Sequence, residues 1–528
     1  MKKNNLISFC CLVLFLLGCQ TGSQKTAMVL SKNTYQQDQH RPQFHFSPPQ
    51  KWMNDPNGMV YFEGEYHLFY QYYPDSTVWG PMHWGHAVST DLMHWEHLPI
   101  ALFPDKIGYI FSGSVVVDSL NTAGFQQKQG ETPLVAIFTY HNIEGERAGR
   151  TDFQTQGIAY SLDKGRTWKK YINNPVINNK NIKDFRDPKV FWYPPEQKWV
   201  MTLAVADHVE FFTSKNLKNW EKTGEFGKTE GAHGGVWECP DLFAMPLEGT
   251  NEEKYVLLQS IGDGAPNGGS GTQYFVGTFD GKTFKNDNPL DQILWLDYGR
   301  DNYAGVTWTN APKNRHLFLG WMSNWQYAMK VPTQRWRSAM TLPRTLSLRY
   351  NSSQKIRLFQ SVVPEIETIR GENKPITVGE IENVIDISKT FAKLQQTVLV
   401  FDINKFSASE FGIEFLNDNG EKITIGYERE RNQYFIDRTL SGKTDFEPRF
   451  SGRQYAPRIK NPKQDWVVFN IFLDVSSVEL LADDGETALT VTFFPNQDFT
   501  KSQLFSKGGK AILQAGSVSP IRASFFKK

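Results

Sequence analysis

A short motif recurs four times along the first part of the chain, and it constrains the fold more than any other feature. Each copy begins with a hydroxyl-bearing residue, passes through a turn-forming Asp or Asn, and ends on an aromatic side chain that can pack back across a hairpin. The copies occupy residues 89–95, 161–168, 213–220 and 278–284. Their spacing of roughly 50 to 75 residues suits four-stranded propeller blades with insertions, and a closing blade brings the expected number to about five.

Short β-rich runs surround these motifs, and Gly, Asn, Asp and Pro separate the runs. The runs are residues 59–61, 66–70, 114–117, 135–138, 190–192, 199–205, 255–259 and 317–321. Residues 40–350 have no long helical periodicity. We therefore predict an all-β protein in which residues 40–350 form a five-bladed β-propeller. A series of independent hairpins is the alternative, because the spacing of the motif is irregular.

The pattern changes after about residue 350, where strands alternate apolar and polar residues more regularly. These strands are expected at residues 397–403, 411–416, 422–428, 433–439, 466–472, 477–481 and 488–494. Turn clusters such as Asn-Asp-Asn-Gly at 417–420 join them, which is typical of a β-sandwich. Because Asn-Ser-Ser at 351–353 interrupts the pattern, we predict a linker at 351–368 and a C-terminal β-sandwich at 369–528. We expect this domain to pack against the propeller, and a contribution to the rim of the cleft is a hypothesis.

The N-terminus has the pattern of an export signal. Two lysines precede the apolar run at residues 7–18, which is shorter than a membrane-spanning helix. The run ends in Leu-Leu-Gly-Cys, which resembles the lipobox of bacterial lipoproteins. This resemblance implies that a signal peptide at 1–18 is removed and that Cys19 is lipidated, with simple cleavage near a small residue as the alternative. With residues 19–39 as a polar tether, we expect an exported lipoprotein, anchored to a membrane by its N-terminal lipid alone and facing the periplasm or the cell exterior.

Composition argues against several classes of function. The net charge is +1 and no basic cluster is present, so a nucleic-acid surface is not expected. The Gly-rich segment 262–271 lacks the strand–helix context of a nucleotide-binding loop. Of four cysteines, Cys10 and Cys11 leave with the signal and Cys19 would carry lipid, so Cys239 has no partner for an intrachain disulfide. The aromatic content of 14% suits both packing in an all-β protein and stacking on sugars.

Three acidic residues lie within two positions of a proline, at wide spacing along the chain. Asp55 lies in Trp-Met-Asn-Asp-Pro-Asn-Gly at 52–58, Asp187 in Arg-Asp-Pro, and Glu238 in Glu-Cys-Pro. In a propeller, these acidic turns would belong to successive blades near the inner strands and could meet at one mouth of the channel. A pair of carboxyl groups can protonate a leaving group and stabilise an oxocarbenium-like centre, so the pattern favours glycoside hydrolysis. Glu suits the proton donor because its arm is longer, and Asp suits the nucleophile.

The same three motifs resemble those of glycoside hydrolase family 32, the β-fructofuranosidases. The resemblance begins near Pro42 and continues into the second domain, where residues 472–479 resemble a family strand signature. It implies a five-bladed propeller with a C-terminal sandwich. It also implies that Asp55 is the nucleophile, Glu238 the acid and base, and Asp187 the transition-state stabiliser. Hydrolysis would proceed with net retention, for which the acid and the nucleophile stand about 5–5.5 Å apart.

Residues that flank the acids resemble the family's pocket for a terminal fructose. The expected substrate-binding residues are Asn54, Gln71, Trp79, Phe111, Ser112, Arg186 and Trp325. Trp321 is an alternative to Trp325 as the aromatic wall, and Cys239 is either a tuning residue or a buried spectator. The resemblance implies neither a cofactor nor a metal, so His83 and His86 are interpreted as a hydrogen-bonding scaffold.

Several functions compete with this interpretation. Residues 161–168 fit a sialidase box, but the box occurs once in full form and the acidic motifs argue against that class. A surface glycan-binding lipoprotein without catalysis is a second alternative, although binding alone needs no proton donor.

Within the family, the export signal disfavours a cytoplasmic sucrose-6-phosphate hydrolase, and residues 79–86 resemble exo-acting members. We expect release of terminal fructose from levan or inulin, with sucrose as a lesser substrate. Endo-cleavage is the alternative, and the linkage preference and the oligomeric state stay open.

Overall fold

The computed structural model describes residues 38–459 and 465–524. Five separate β-sheets, one after another along the chain, precede one large sheet. The predicted all-β fold, a five-bladed propeller followed by a β-sandwich, is therefore confirmed. The predicted signal peptide, Cys19 and most of the tether lie outside the described residues. Among the residues that are described, no helix is both long enough and apolar enough to cross a membrane.

Antiparallel sheets, here called blades I to V, form the propeller. Blade I contains β1 (Lys51–Phe62), β2 (Glu65–Tyr73), β3 (His83–Ser89) and β4 (Glu96–Leu102). Blade II contains β5 (Tyr109–Val117), β6 (Leu134–His141), β7 (Gln154–Ser161) and β8 (Lys169–Lys170), with helix α1 (Ile143–Arg147) after β6. Blade III contains β9 (Phe185–Tyr193), β10 (Lys198–Val205), β11 (His208–Ser214) and β12 (Glu221–Phe226).

The last two blades carry additional short strands. Blade IV contains β13 (Trp237–Pro246), β14 (Glu253–Ile261), β15 (Gly271–Phe279), β16 (Phe284–Asn286) and β17 (Leu294–Trp295). Blade V contains β18 (Tyr303–Thr307), β19 (His316–Met322), β21 (Ala339–Met340), β22 (Arg344–Tyr350) and β23 (Ile356–Val362), whereas β20 (Trp336–Arg337) pairs with β1. Short 3-10 helices occur at Pro194–Glu196, Pro312–Asn314, Pro364–Thr368, Ser388–Thr390 and Asp483–Gly485.

The first strands of the blades contact one another in the order β1, β5, β9, β13 and β18, and β18 contacts β1 again. Thr309, just after β18, closes the ring through its backbone. Its N–H donates to the carbonyl of Met59 at 3.0 Å, and the N–H of Tyr61 donates to the carbonyl of Thr309 at 3.0 Å. These inner strands surround the central channel, so their side chains are the ones placed to meet there.

The recurring motif joins the third and fourth strands of blades I to IV. In the first copy, Asp91 accepts the backbone N–H groups of Met93 and His94, at 3.1 and 2.8 Å. The indole of Trp95 then donates to the carbonyl of Leu92 at 3.0 Å. The indoles of the next two copies make the same contact three residues back. The motif is thus a self-bonded turn at the same place in blades I to IV, which explains why it marks these blades in the sequence.

The predicted linker at 351–368 is wrong over much of its length. Residues Ile356–Val362 form β23, which pairs with β22 along its whole length and completes blade V. The side chain of Asn351 accepts the N–H groups of Ser353 and Lys355, both at 3.0 Å. The interruption at 351–353 is therefore the tight turn between β22 and β23, and the chain leaves the propeller only after Val362.

Eleven strands of the described chain form the C-terminal sandwich. They are β24 (Lys374–Pro375), β25 (Glu380–Asp386), β26 (Gln395–Asp402), β27 (Glu410–Leu416), β28 (Lys422–Glu428), β29 (Gln433–Asp437), β30 (Arg453–Pro457), β31 (Trp466–Leu473), β32 (Ser477–Ala482), β33 (Thr487–Thr492) and β34 (Lys501–Pro520). The first half of β34 pairs with β27 and the second half with β26, so this strand belongs to both layers. Gly508 and Gly509, with φ of 66° and 144°, lie where the partner changes.

The two domains share a buried charged interface. Arg344 of β22 donates to Glu479 of β32 and to Asp297, which lies 3.1 Å away, and all three side chains are fully buried. Glu479 also contacts His45 at 2.9 Å, and the other nitrogen of His45 lies 2.8 Å from Asp474. The segment before β1 is therefore fixed between the propeller and the sandwich.

Candidate active site

Each of the five inner strands contains a β-bulge, where its register with the second strand of the blade shifts. The bulges lie at Asp55, at residues 111–112, at residues 187–188, at residues 239–240 and at residues 304–305. A bulge bends its strand and redirects side chains, and it is over-represented beside active sites. The bulges therefore place chemically active side chains at one region of the channel.

The prolines of the acidic motifs lie in or directly beside three of these bulges, those of β1, β9 and β13. Proline has no backbone N–H for a ladder and is tolerated inside a sheet mainly at bulges. The acidic motifs were expected to be turns, but they lie inside β1, β9 and β13. Asp187 and Cys239 have φ of 64° and 48°, in the left-handed region that non-glycine residues rarely adopt. Gly113 directly follows the bulge of β5, and a Cβ atom there would lie 2.0 Å from the carbonyl oxygen of Ile137.

A cavity of about 310 Å³ opens at these bulges. All ten residues predicted for catalysis or substrate binding line it. They are Asn54, Asp55, Gln71, Trp79, Phe111, Ser112, Arg186, Asp187, Glu238 and Trp325. The lining also includes five residues that the sequence did not identify, namely His141, Glu146, Gln154, Asp184 and Met329. The acids come from blades I, III and IV, so the prediction of successive blades is wrong, because blade II lies between those of Asp55 and Asp187. The folding of the ring is what brings them together.

Asp55 is held in place through one of its two carboxylate oxygens. Its Oδ2 accepts the hydroxyl of Ser112 at 3.0 Å. Its Oδ1 is buried without a hydrogen-bond partner among the described residues, and the same is true of Nε2 of Gln71. Burial, together with the negative charge of Glu238, raises the pKa of Asp55 to about 6. Both orphaned atoms belong to residues that line the cavity, so they suit bonds to a bound polar ligand.

Asp187 is bound mainly through backbone groups. Its own N–H donates to Oγ1 of Thr139 at 3.0 Å, and its Oδ2 accepts the N–H of Cys239 at 3.0 Å. Burial raises the pKa of Asp187 to about 7, since the opposing effect of Arg186 is offset by the charges of Glu238 and Asp55. The acids therefore repel one another inside a shared low-dielectric site.

Glu238 is fixed by two donors that approach its two oxygens. Nε of Arg186 donates to Oε1 at 3.1 Å, and the hydroxyl of Tyr303 donates to Oε2. Arg186 is oriented in turn by Asp184, which lies 2.6 Å from its Nη1. Burial and the charge of Glu238 raise the pKa of Tyr303 well above its ordinary value, so the phenol remains a donor. The carboxyl group of Glu238 thus has a defined orientation toward the cavity.

Aromatic side chains form the walls of the cavity. Trp325 lies against Trp52, with ring centroids 6.0 Å apart and planes at 27°, and against Trp321 at 4.9 Å. Trp321 is fully buried behind it, so Trp325 is the wall residue of the two candidates. Two further aromatic residues of the lining, Trp79 and Phe111, pack edge to face with ring centroids 6.0 Å apart. A sugar ring has apolar C–H faces as well as polar hydroxyl groups, so flat apolar side chains beside polar groups suit its binding.

The two histidines considered as metal ligands have other contacts. Nδ1 of His83 lies 2.8 Å from the carbonyl of Pro81. His86 is buried, stacks on Phe69 at 4.0 Å, and lies 3.0 Å from His67. Elsewhere in the described chain, a possible ligand group comprises His208, Glu210 and Glu225. Lys222 contacts both of those carboxylates, at 2.5 and 3.0 Å, and Lys228 contacts Glu225, so two lysines offset the two negative charges.

Comparison with known proteins agrees with this architecture. The family described as "Glycosyl hydrolases family 32 N-terminal domain" matches residues 45–361, and "Glycosyl hydrolases family 32 C terminal" matches residues 365–520. The chain belongs to glycosyl hydrolase family 32. The predicted membership is confirmed, and the protein is a glycosidase.

Relatives from bacteria and fungi cover nearly the whole chain. The levanase of Bacillus subtilis (strain 168) is 48% identical over 497 residues, which span 93% of this chain and 72% of the levanase. The extracellular exo-inulinase of Aspergillus awamori is 40% identical over 522 residues, which span 92% and 94% of the two chains.

Solved structures in the family have the same fold. The crystal structure of the exo-inulinase from Aspergillus awamori superposes with a TM-score of 0.84 at 38% identity, covering 93% of this chain and all of the other (100%). The fructofuranosidase of Schwanniomyces occidentalis complexed with fructose gives a TM-score of 0.83 at 33% identity, covering 91% and 98%.

Proposed function

We propose that this family 32 glycosidase is an exo-acting fructan hydrolase, which removes terminal β-D-fructofuranosyl units by a retaining double displacement. The observation that carries the proposal is the convergence of Asp55, Asp187 and Glu238 on one aromatic-walled cavity. Relatives that span nearly the whole chain are named levanase and exo-inulinase, which supports fructans as the substrate class.

The environment of each acid suits a different role. Asp55, short and held by Ser112, would attack the anomeric carbon and form a fructosyl–enzyme intermediate. Glu238, oriented by Arg186 and Tyr303, would protonate the leaving oxygen and then activate water. Asp187 would accept hydroxyl groups of the reacting ring and strengthen those bonds in the transition state.

The size of the cavity supports cleavage at chain ends. A volume of about 310 Å³ is at the lower end for small-molecule pockets and suits one or two sugar rings. An endo-acting enzyme needs a groove that accepts the polymer on both sides of the cleaved bond. We therefore propose fructose as the product from levan and inulin, with sucrose as a lesser substrate.

Product analysis tests this proposal. Incubation of the purified protein with levan, inulin and sucrose should release free fructose from the start of each reaction. Early fructo-oligosaccharides would instead indicate endo-cleavage.

Glu238→Gln should lower kcat by a factor on the order of 10² to 10⁴ while the fold is retained. The matched control is Glu253→Gln, at an exposed glutamate of β14, which should keep full activity. Binding of fructan without any hydrolysis by the wild-type protein would favour a glycan-binding lipoprotein.

We also propose that the protein is exported and lipidated at Cys19. The support is the apolar run followed by Leu-Leu-Gly-Cys at 16–19, and several relatives are named extracellular exo-inulinases. In a bacterial host, labelled palmitate should be incorporated into the wild-type protein and not into Cys19→Ala. The matched control is Cys239→Ala, which should retain the label. Equal labelling of the wild type and Cys19→Ala would contradict lipidation.

A further inference from the structure

One loop of the propeller supplies the outer wall of the cavity. Residues 324–330 follow β19, and two of them, Trp325 and Met329, line the cavity. The loop is internally bonded, since the N–H of Ala328 donates to the carbonyl of Asn324 at 2.8 Å and that of Lys330 to the carbonyl of Tyr327 at 2.8 Å. It therefore tends to move as one unit, and Tyr327 at its centre is two residues from each wall residue.

Tyr327 points away from this wall and into the boundary with the sandwich. The residue is almost completely buried. Its ring packs edge-on against Phe450 of the sandwich at 5.0 Å. Its hydroxyl donates to Oδ1 of Asp301 at 2.8 Å and accepts Nη2 of Arg438 at 3.1 Å.

Arg438 is the centre of this contact on the sandwich side. It directly follows β29, is fully buried, and lies 2.8 Å from Oδ2 of Asp301. Its guanidinium lies over the ring of Phe450 at 3.8 Å and over that of Tyr327 at 5.1 Å. Because the guanidinium of Arg438 is planar and permanently charged, its contacts with the two rings and the carboxylate hold these three groups in a defined geometry.

Two further contacts join the same loop to the sandwich. Nζ of Lys330 lies 2.7 Å from Oε2 of Glu447, and Nη2 of Arg449 donates to the carbonyl of Gln326 at 3.2 Å. The Nε atom of Arg449 also donates to Glu447 at 2.7 Å, so Glu447 connects both contacts. The sandwich thus holds the loop on either side of Tyr327.

We propose that the sandwich domain sets the position of the Trp325–Met329 wall through Tyr327, and thereby the fit of the fructan end in the cavity. Tyr327 is a positioning residue in this account, because it contacts no substrate itself. The inference rests on the proposed function, since it concerns how that same cavity binds a fructan end. It gives the second domain a part in substrate binding besides its part in stability.

Removal of a single hydroxyl group tests the proposal. Tyr327→Phe keeps the ring against Phe450 and leaves Asp301 paired with Arg438. The matched control is Tyr434→Phe, because Tyr434 is also fully buried and donates to an aspartate, Oδ1 of Asp483, at 2.8 Å. Tyr434 lies on β29 and does not line the cavity. Both variants are expected to lower the Tm to a similar extent.

The kinetic constants separate positioning from stability. Tyr327→Phe should raise KM for inulin and levan by roughly 3- to 30-fold, with a smaller effect on kcat, because a slightly displaced wall loses contact with the bound sugar. Tyr434→Phe should leave KM unchanged. As a milder second variant, Glu447→Gln weakens the contacts with Lys330 and Arg449, and should raise KM in the same direction by a smaller factor.

The outcomes also separate this inference from the proposed function. If the wild type hydrolyses fructans and both Tyr327→Phe and Glu447→Gln keep the wild-type KM, the positioning role is overturned and the proposed function is not. An equal rise of KM in Tyr327→Phe and Tyr434→Phe would also overturn it, because the effect would then be general loosening. If the wild type hydrolyses no β-fructofuranoside, the proposed function fails before the variants are compared.

Discussion

The backbone N–H of Cys239 donates to Oδ2 of Asp187 at 3.0 Å, and the thiol of the same residue lies 3.6 Å from that oxygen. The thiol also lies 3.9 Å from Oδ2 of Asp55. One residue at a bulge of β13 thus connects acids from two other strands. A substitution of Cys239 can therefore keep the backbone contact and remove the contacts of the thiol.

The thiol of Cys239 is expected to tune the acids without being essential. Burial and the neighbouring carboxylates raise its pKa well above the ordinary value, so it stays protonated and can donate weakly. Cys239→Ala should move the acidic limb of kcat/KM to higher pH by less than about one unit, because the ionised acids lose a donor. Cys239→Ser, with a stronger donor, should move it to lower pH. Identical pH profiles for the three proteins would show that the thiol is a spectator.

The hydroxyl of Ser112 is expected to keep Asp55 ionised over a wider pH range. Because the pKa of Asp55 is raised to about 6 and that of Asp187 to about 7, kcat/KM should fall as the pH falls from about 7 to below 6, and Asp55 sets the lower part of this acidic limb. Ser112→Ala removes a hydrogen bond to the charged form of Asp55 and so raises the pKa of that acid. The acidic limb should therefore move to higher pH by about one unit. Ser114→Ala is the control, since Ser114 bonds the carbonyl of Pro188 and the N–H of Val190. A limb that stays in place in Ser112→Ala contradicts the assignment of the limb to Asp55.

The charge of Asp187 is expected to lower stability at neutral pH. Its pKa is raised from 3.8 to about 7, so the folded protein keeps a proton that the unfolded chain releases above pH 4. The free energy of unfolding should therefore fall as the pH rises from about 4 to 7. Asp187→Asn should be about 1–3 kcal/mol more stable than the wild type at pH 7 and similar at pH 4, measured by urea unfolding. Asp291→Asn, at an exposed position, is the control, and a less stable Asp187→Asn at pH 7 would argue against this cause.

His45 is expected to make the domain interface sensitive to alkaline pH. Burial alone would lower its pKa, but the bonds to Asp474 and Glu479 outweigh burial and raise the pKa to about 9. Its contribution to stability is complete below pH 6.5 and is lost as the pH rises through about 9. The Tm of the wild type should therefore drop between pH 7 and 10.

A neutral replacement checks that prediction. His45→Gln should have a lower Tm at pH 6.5 and a flatter dependence up to pH 10, because no proton is lost. His233→Gln is the control, since His233 contacts Asp207 in an exposed pair. Parallel alkaline profiles for the wild type and His45→Gln would contradict a charged His45 at the interface.

The features that the sequence predicted are those encoded by local chemistry. The turn around Asp91 and Trp95 bonds to itself, so it has the same pattern in every blade where it occurs. The acids beside Pro56, Pro188 and Pro240 could be recognised because a bulge tolerates proline and an active site needs carboxylates. Their placement in bulges inside strands, instead of turns, depends on pairing with neighbours that the sequence does not display.

The features that the sequence did not predict depend on distant contacts. Tyr303 is 65 positions from Glu238 and is one of 20 tyrosines, so nothing local marks it as the donor to that acid. The long strand β34 was not predicted, because Lys507–Lys510 at its middle is polar and contains two glycines. Its pairing with both layers of the sandwich depends on distant strands. His141, at the end of β6, and Met329, in the loop after β19, line the cavity only because the blades are brought together around the ring.

Methanolysis tests the central claim, a fructosyl–enzyme intermediate on Asp55, most directly. When a fructan is hydrolysed in dilute methanol, methanol can attack the fructosyl–enzyme intermediate in place of water. In a retaining double displacement, the methoxy group then occupies the same face of the fructose ring as the original leaving group. NMR of the stable product should identify methyl β-D-fructofuranoside, formed by the wild type and absent with Asp55→Asn. Methyl α-D-fructofuranoside as the enzymatic product would show inversion, and it would contradict the role of Asp55 as the nucleophile.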